Sequence, residues 1–120
     1  MENEVIIGWV LSTLAVAPFF WGGFLDVLKA PVVIKNTEHI GFPFEIVAPF
    51  GVIKILIGIL SLIPSTSFVG VILATGWMGG AIAAHIRVRD KYFIQVIIPI
   101  LIWIGFGLRH QSAIRSLLGF

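Results

Sequence analysis

An all-α fold, a transmembrane four-helix bundle with a short interfacial connector helix between spans one and two, is what this sequence predicts. Three observations carry that reading. The chain is 58% hydrophobic and 12% charged, whereas soluble domains carry about 25% charged residues. Its apolar residues gather into four runs, each close to the roughly 20 residues a spanning helix needs. The charges collect between those runs. At 120 residues, the chain is read as a single integral membrane domain, 1–120.

The first span covers about 5–28, with Ser12, Thr13 and Pro18 inside it and Asp26 near its end. Ala30-Pro31 stops it, because a residue before proline is biased away from α. The segment ahead of it, Met1-Glu2-Asn3-Glu4, is acidic and lacks the basic region of a cleaved signal peptide, so the first span reads as retained. A connector from Pro31 to Pro43 mixes Lys35, Asn36, Glu38 and His39 with Val32, Val33, Ile34 and Ile40. That mixture suits a short helix lying in the membrane interface. Gly41-Phe42-Pro43 then turns the chain.

The second span covers about 44–63 and closes at Pro64. The loop to Ser67 is so short that spans two and three must be antiparallel neighbours. The third covers about 68–86 and runs into Arg87, Arg89, Asp90 and Lys91. The fourth covers about 92–108, with Pro99 inside, and leaves Arg109, His110 and Arg115 in a tail. Lys29, Lys35, Arg87, Arg89 and Lys91 lie on the side of the first and third loops, against Arg109 and Arg115 on the other. The positive-inside rule therefore expects those loops inside and both termini outside, in a prokaryotic cytoplasmic membrane.

Composition also limits chemistry. There are no cysteines, which removes disulfides, thiol catalysis and thiolate metal sites. The net charge of +2 comes from residues near span ends and sets orientation; it is not a nucleic-acid surface. No HExxH, paired acidic metal motif, Walker loop or GxGxxG is present, and no metal site is assigned. Nothing marks the chain as an enzyme on its own.

Lys54 is the anomaly. It sits in the middle of the second apolar run, where a lysine costs roughly 2.5–3.5 kcal/mol to insert. At a rise of about 1.5 Å per residue it lies roughly 15 Å from the face that holds the first and third loops. Helical side chains tilt toward the N-terminus, so Lys54 leans toward that face and toward Asp26. Ionisable groups at depth rarely face lipid. Asp26, Lys29, Glu45, Lys54 and His85 are therefore the candidate ligand-binding residues, with Asp26 and Lys54 expected to pair. The same pair serves equally well as a lock between helices.

Other features carry two readings each. Gly76, Gly80 and Ala84 form one row on span three, with Gly79 and Ala83 beside it; Gly22-Gly23 lies in span one. Small residues let membrane helices approach closely, so helix contact is the first reading, and clearing space for a ligand is the second. Trp9 suits the interfacial belt. Trp21, Trp77 and Trp103 lie deeper and read as core or lipid-facing packing, or as cavity walls. His85 ends span three, where a bond to a carbonyl or headgroup is expected; His39 reads as a solvated connector residue. His110 lies at the opposite face, roughly a membrane thickness from His85, so the two do not share a haem.

Phe24-Leu25-Asp26-Val27-Leu28-Lys29, Gly41-Phe42-Pro43, Gly51-Val52-Ile53-Lys54-Ile55-Leu56-Ile57-Gly58 and Gly79-Gly80-Ala81-Ile82-Ala83-Ala84-His85 occur in that order. In these strings the chain resembles the DoxX-like family of small four-span membrane proteins. The resemblance implies a lysine closing span one, matched by Lys29, a charged residue in mid-span two, matched by Lys54, and a small-residue run ending in histidine, matched at His85. It also implies a link to quinone-dependent redox systems, with a quinone as cofactor and a membrane or peripheral redox partner.

Three function classes follow. The first is an accessory or quinone-associated component of a membrane redox system with a polar intramembrane pocket. The second is a small transporter; a positive deep charge favours an anionic or neutral ligand over a cation. The third is a non-catalytic assembly subunit. The lipid bilayer is a partner in every case, and a symmetric homodimer is compatible with so small a bundle.

Overall fold

The structure is a computed structural model and describes residues 2–119. All its regular elements are helical: α1 (Glu2–Val27), α2 (Pro31–His39), a 3-10 turn (Phe44–Ile46), α3 (Val47–Leu62), α4 (Ser67–Arg87), α5 (Phe93–Arg109) and α6 (Gln111–Leu118). Three apolar stretches, α1, Phe44–Leu62 and α4, are long enough to cross a membrane. α5 reaches that length only together with α6, which bends away from it by 109°. At about 1.5 Å per residue, α5 alone measures about 26 Å, close to a hydrocarbon core of about 30 Å.

Around the bundle the order is α1, α3, α4, α5, with α5 closing back on α1. α3 and α4 are neighbours, as their short loop requires. The buried residues of α1 are Gly8, Ser12, Ala15, Val16, Phe19, Gly23 and Asp26, which recur at three- and four-residue steps and form one stripe. On the opposite side Ile6, Leu14, Trp21 and Phe24 are exposed. In water this would be a liability; toward lipid it is the expected covering of a helix whose backbone bonds are internally satisfied.

Three close crossings set the geometry. A Cβ on Gly51 would lie 2.6 Å from the Gly23 carbonyl oxygen, and one on Gly23 would lie 2.8 Å from that of Gly51. A Cβ on Gly105 would lie 2.6 Å from Ser12 Oγ, and one on Gly8 2.9 Å from Arg109 Cγ. A Cβ on Gly70 would press into the backbone of Ser61. These contacts hold α1 to α3, α1 to α5 and α3 to α4, in keeping with the reliance of membrane helices on small residues.

Gly76, Gly79 and Gly80 behave differently. A Cβ on any of them would meet nothing within 4 Å. These glycines of the two rows therefore make no close helix contact within the chain. The sequence pattern is the same as at the true crossings; here Gly76 and Gly80 border a space between α4 and its neighbours, and Gly79 is exposed.

At the terminal end, the Arg109 guanidinium donates to the Ser61 carbonyl (3.1 Å) and to Ser67 Oγ (2.8 Å). It also lies 4.4 Å from the centre of the Trp9 ring. This one side chain of α5 thus ties α1, α3 and the start of α4. α6 is an addition to the expected tail. Its Ala113 and Ile114 pack against the core, while Gln111 donates to Glu4 (3.1 Å).

At the other end α1, α2 and α4 close with the same backbone motif. After α1, Lys29 N–H bonds the Asp26 carbonyl and Ala30 N–H bonds that of Leu25; after α4, Arg89 and Asp90 do the same to Ile86 and His85. The motif needs a left-handed residue, normally glycine. Gly41 supplies it after α2, but Lys29 (φ 54) and Arg89 (φ 62) supply it elsewhere. Replacing the exposed Arg89 by glycine should remove that strain and raise stability by about 0.5–1 kcal/mol. Thermal unfolding in detergent would register this as a higher midpoint; a lower one contradicts it.

Candidate functional site: a cavity with one ion pair

The Gly23–Gly51 crossing places the two buried charges. Asp26 follows Gly23 by one turn of α1, and Lys54 follows Gly51 by one turn of α3. The helices run antiparallel, so the charged residues sit on opposite sides of the crossing. The lysine stem closes the gap by running back toward the start of its own helix. Its Nζ lies 2.8 Å from Asp26 Oδ2. The Asp26 side chain is 3% exposed and that of Lys54 24%, so the carboxylate is sealed and the ammonium has an open side. Lys54 Nζ is also 5.8 Å from the centre of the Trp77 ring.

That open side faces a cavity of about 390 Å³ lined from α1, α2, α3, α4 and α5, within the range of small-molecule sites. Its walls are largely apolar: Phe19, Phe50, Trp77, Met78 and Ile98 among them. Gly76, Gly80, Ala81 and Ala84 make one flat side. Phe42, Phe50 and Trp77 stand edge to face in sequence, with centroids 5.3 and 4.9 Å apart. Lys54 and His85 are the ionisable residues in the lining, with Thr37 and Gln95 as further polar groups.

His85 is oriented by its own helix. Its Nδ1 lies 2.7 Å from the Ala81 carbonyl oxygen. A carbonyl only accepts, so Nδ1 carries the proton, and in the neutral ring Nε2 holds the lone pair. The sequence expectation of a carbonyl partner for His85 therefore coexists with a place in the cavity wall.

α2 helps enclose the cavity. Thr37 is buried, and it lines the space with Ile40 and Phe42. Two ties fasten this connector to the far side of the bundle: His39 Nε2 to Asp90 Oδ2 at 2.8 Å, and the Arg87 guanidinium to the Ile40 carbonyl. The first and third loops thus meet at one end of the molecule. His39, expected to be a solvated residue, is exposed but engaged in this tie.

Of the five candidates, the structure brings Asp26, Lys54 and His85 to the cavity or its edge. Lys29 and Glu45 stand outside it. Lys29 is the left-handed residue after α1, exposed, with its ammonium 5.3 Å from the centre of the Phe44 ring. Glu45 is exposed in the 3-10 turn before α3. Among the deeper tryptophans, Trp77 lines the cavity, Trp21 is 65% exposed, and Trp103 donates to Thr75 Oγ1 at 2.8 Å. Thr37 and Phe50 were not singled out from sequence, and Phe42 only as part of the Gly41-Phe42-Pro43 turn string.

A helical membrane bundle with a half-open, largely apolar cavity and an ion pair at its edge is the class of protein these features define. The chain belongs to the DoxX-like family, whose model matches residues 10–106. The match takes in both charges of the ion pair, the connector and His85, and stops before Arg109 and α6. No curated protein and no solved structure matches the chain.

Proposed function

We propose that this DoxX-like membrane protein binds a quinone-type ring compound in the cavity and acts as an accessory component of a membrane redox system, with a membrane or peripheral redox partner. The observation that carries this reading is the cavity itself: apolar and aromatic walls inside a membrane bundle, with an ammonium donor at one point. Such a space suits a lipid-soluble ring with a polar edge, taken from the bilayer. A transporter of an anionic ligand fits less well, because Asp26 already neutralises Lys54.

The orientation proposed is that of the charge count, first and third loops inside, in a prokaryotic cytoplasmic membrane. The turning of Arg109 into the bundle supports it, since that removes one of the two basic residues from the opposite side.

Gly80→Leu tests the cavity. A Cβ at this position meets no protein atom within 4 Å, and Gly80 lines the cavity, so the bundle should keep its stability. Quenching of tryptophan fluorescence by a short-chain benzoquinone should occur in the parent protein and weaken at least tenfold in affinity in this variant. Equal quenching in both proteins would remove the cavity as the site.

A further inference from the structure

We infer that the cavity selects a neutral ring compound by its hydroxyl hydrogen, so that a hydroquinone or phenol is held more tightly than the corresponding carbonyl-only ring. The inference rests on the proposed ring-binding reading and specifies which form of the ring the site prefers. Three observations lead to it.

The first is charge. Lys54 and Asp26 form a pair at 2.8 Å, so the ionisable groups at the cavity sum to zero with His85 neutral. An ionic ligand would enter an apolar space with no unmatched counter-charge, at a cost that grows steeply in low dielectric. A neutral ligand avoids this.

The second is donor supply. An ammonium carries three donors, and one faces Asp26. Lys54 retains an open side in the cavity lining, so it can donate to a ring oxygen. A carbonyl oxygen and a hydroxyl oxygen both accept such a bond, and Lys54 alone does not discriminate between them.

The third is acceptor supply, and here the two forms part. The bond from His85 Nδ1 to the Ala81 carbonyl fixes the tautomer, which leaves Nε2 as an acceptor in a residue that lines the same cavity. A hydroxyl can donate to Nε2. A quinone has no hydrogen to give, and its entry leaves the lone pair unmatched. The selectivity therefore resides in His85, a ligand-binding residue, while Lys54 provides affinity common to both forms. One neutral hydrogen bond is worth about 0.5–1.5 kcal/mol, a factor of about three to ten in affinity.

The experiment compares a short-chain benzoquinone with its own hydroquinone, measured anaerobically by titration calorimetry on the full chain in detergent at pH 8. The hydroquinone should bind about three- to tenfold more tightly. His85→Phe should bring the two forms to similar affinities, because it removes both the bond to the hydroquinone and the lone pair that the quinone leaves unmatched. His85→Gln, whose amide oxygen can still accept, should keep part of the preference and guards against a folding defect in the first variant. Equal affinities in the parent protein, or a ratio that His85→Phe does not alter, would overturn the inference while leaving the cavity reading standing. Absence of binding by both forms, or binding that Gly80→Leu does not weaken, would overturn the cavity reading and the inference together.

Discussion

Gly51→Leu is expected to be among the most damaging single changes in the bundle. The new Cβ would lie 2.6 Å from the Gly23 carbonyl oxygen, 2.7 Å from Asp26 Cβ and 2.8 Å from Val27 N. Two of these three atoms are backbone, so no rotamer change relieves the clash, and α1 must move away from α3. Overpacking usually costs about 1–3 kcal/mol, and a contact with rigid backbone falls at or above the top of that range. The same displacement parts Asp26 from Lys54, because the crossing is what places them. Thermal unfolding in detergent should show a loss of about 3 kcal/mol or more, or a protein that is no longer monodisperse. Gly80→Leu makes the identical chemical change where the space is open, and should be close to neutral. If both variants lose stability alike, the difference between the crossing and the cavity wall is not real.

That contrast shows what a sequence can and cannot disclose here. The four long helices were legible because length and hydropathy alone define a spanning run. The Asp26–Lys54 pair was legible because depth follows from residue count and side-chain direction from helix geometry. Glu45 entered the candidate list by depth, near the membrane face, and Lys29 by depth and by the family resemblance. At that level a charged side chain has water within reach and no need of an internal partner. For the glycines, the sequence was ambiguous in principle. Gly51 and Gly80 both sit in small-residue patterns on apolar helices, and only the positions of neighbouring helices separate a contact from a gap. α6 escaped for a different reason. Its eight residues carry polar and apolar faces in near-equal number, which removes the hydropathy signal, and the bend at His110 is not marked by proline or glycine.

Lys54→Met and Asp26→Ala should not be equivalent, and the asymmetry separates a helix lock from a ligand contact. Removing Lys54 leaves the Asp26 carboxylate at 3% exposure without its partner. Breaking a buried pair in this way typically costs about 3–5 kcal/mol. Removing Asp26 leaves an ammonium that still has an open side to the cavity and a stem long enough to turn into it, so the loss should be about half as large or less. The double variant Asp26→Ala/Lys54→Met removes both charges together and should recover most of the stability lost by Lys54→Met alone, giving a coupling energy that a mutant cycle measures directly. Near-additive losses would mean that the pair does little for the fold. Recovery in the double variant would isolate the second role. A stable bundle without the ammonium should bind benzoquinone and hydroquinone more weakly by a similar factor, since Lys54 donates to an oxygen that both possess, and the ratio set by His85 should persist. Full retention of ligand affinity in that double variant would show that the pair only joins α1 to α3, and that the ligand is held by the aromatic walls and His85.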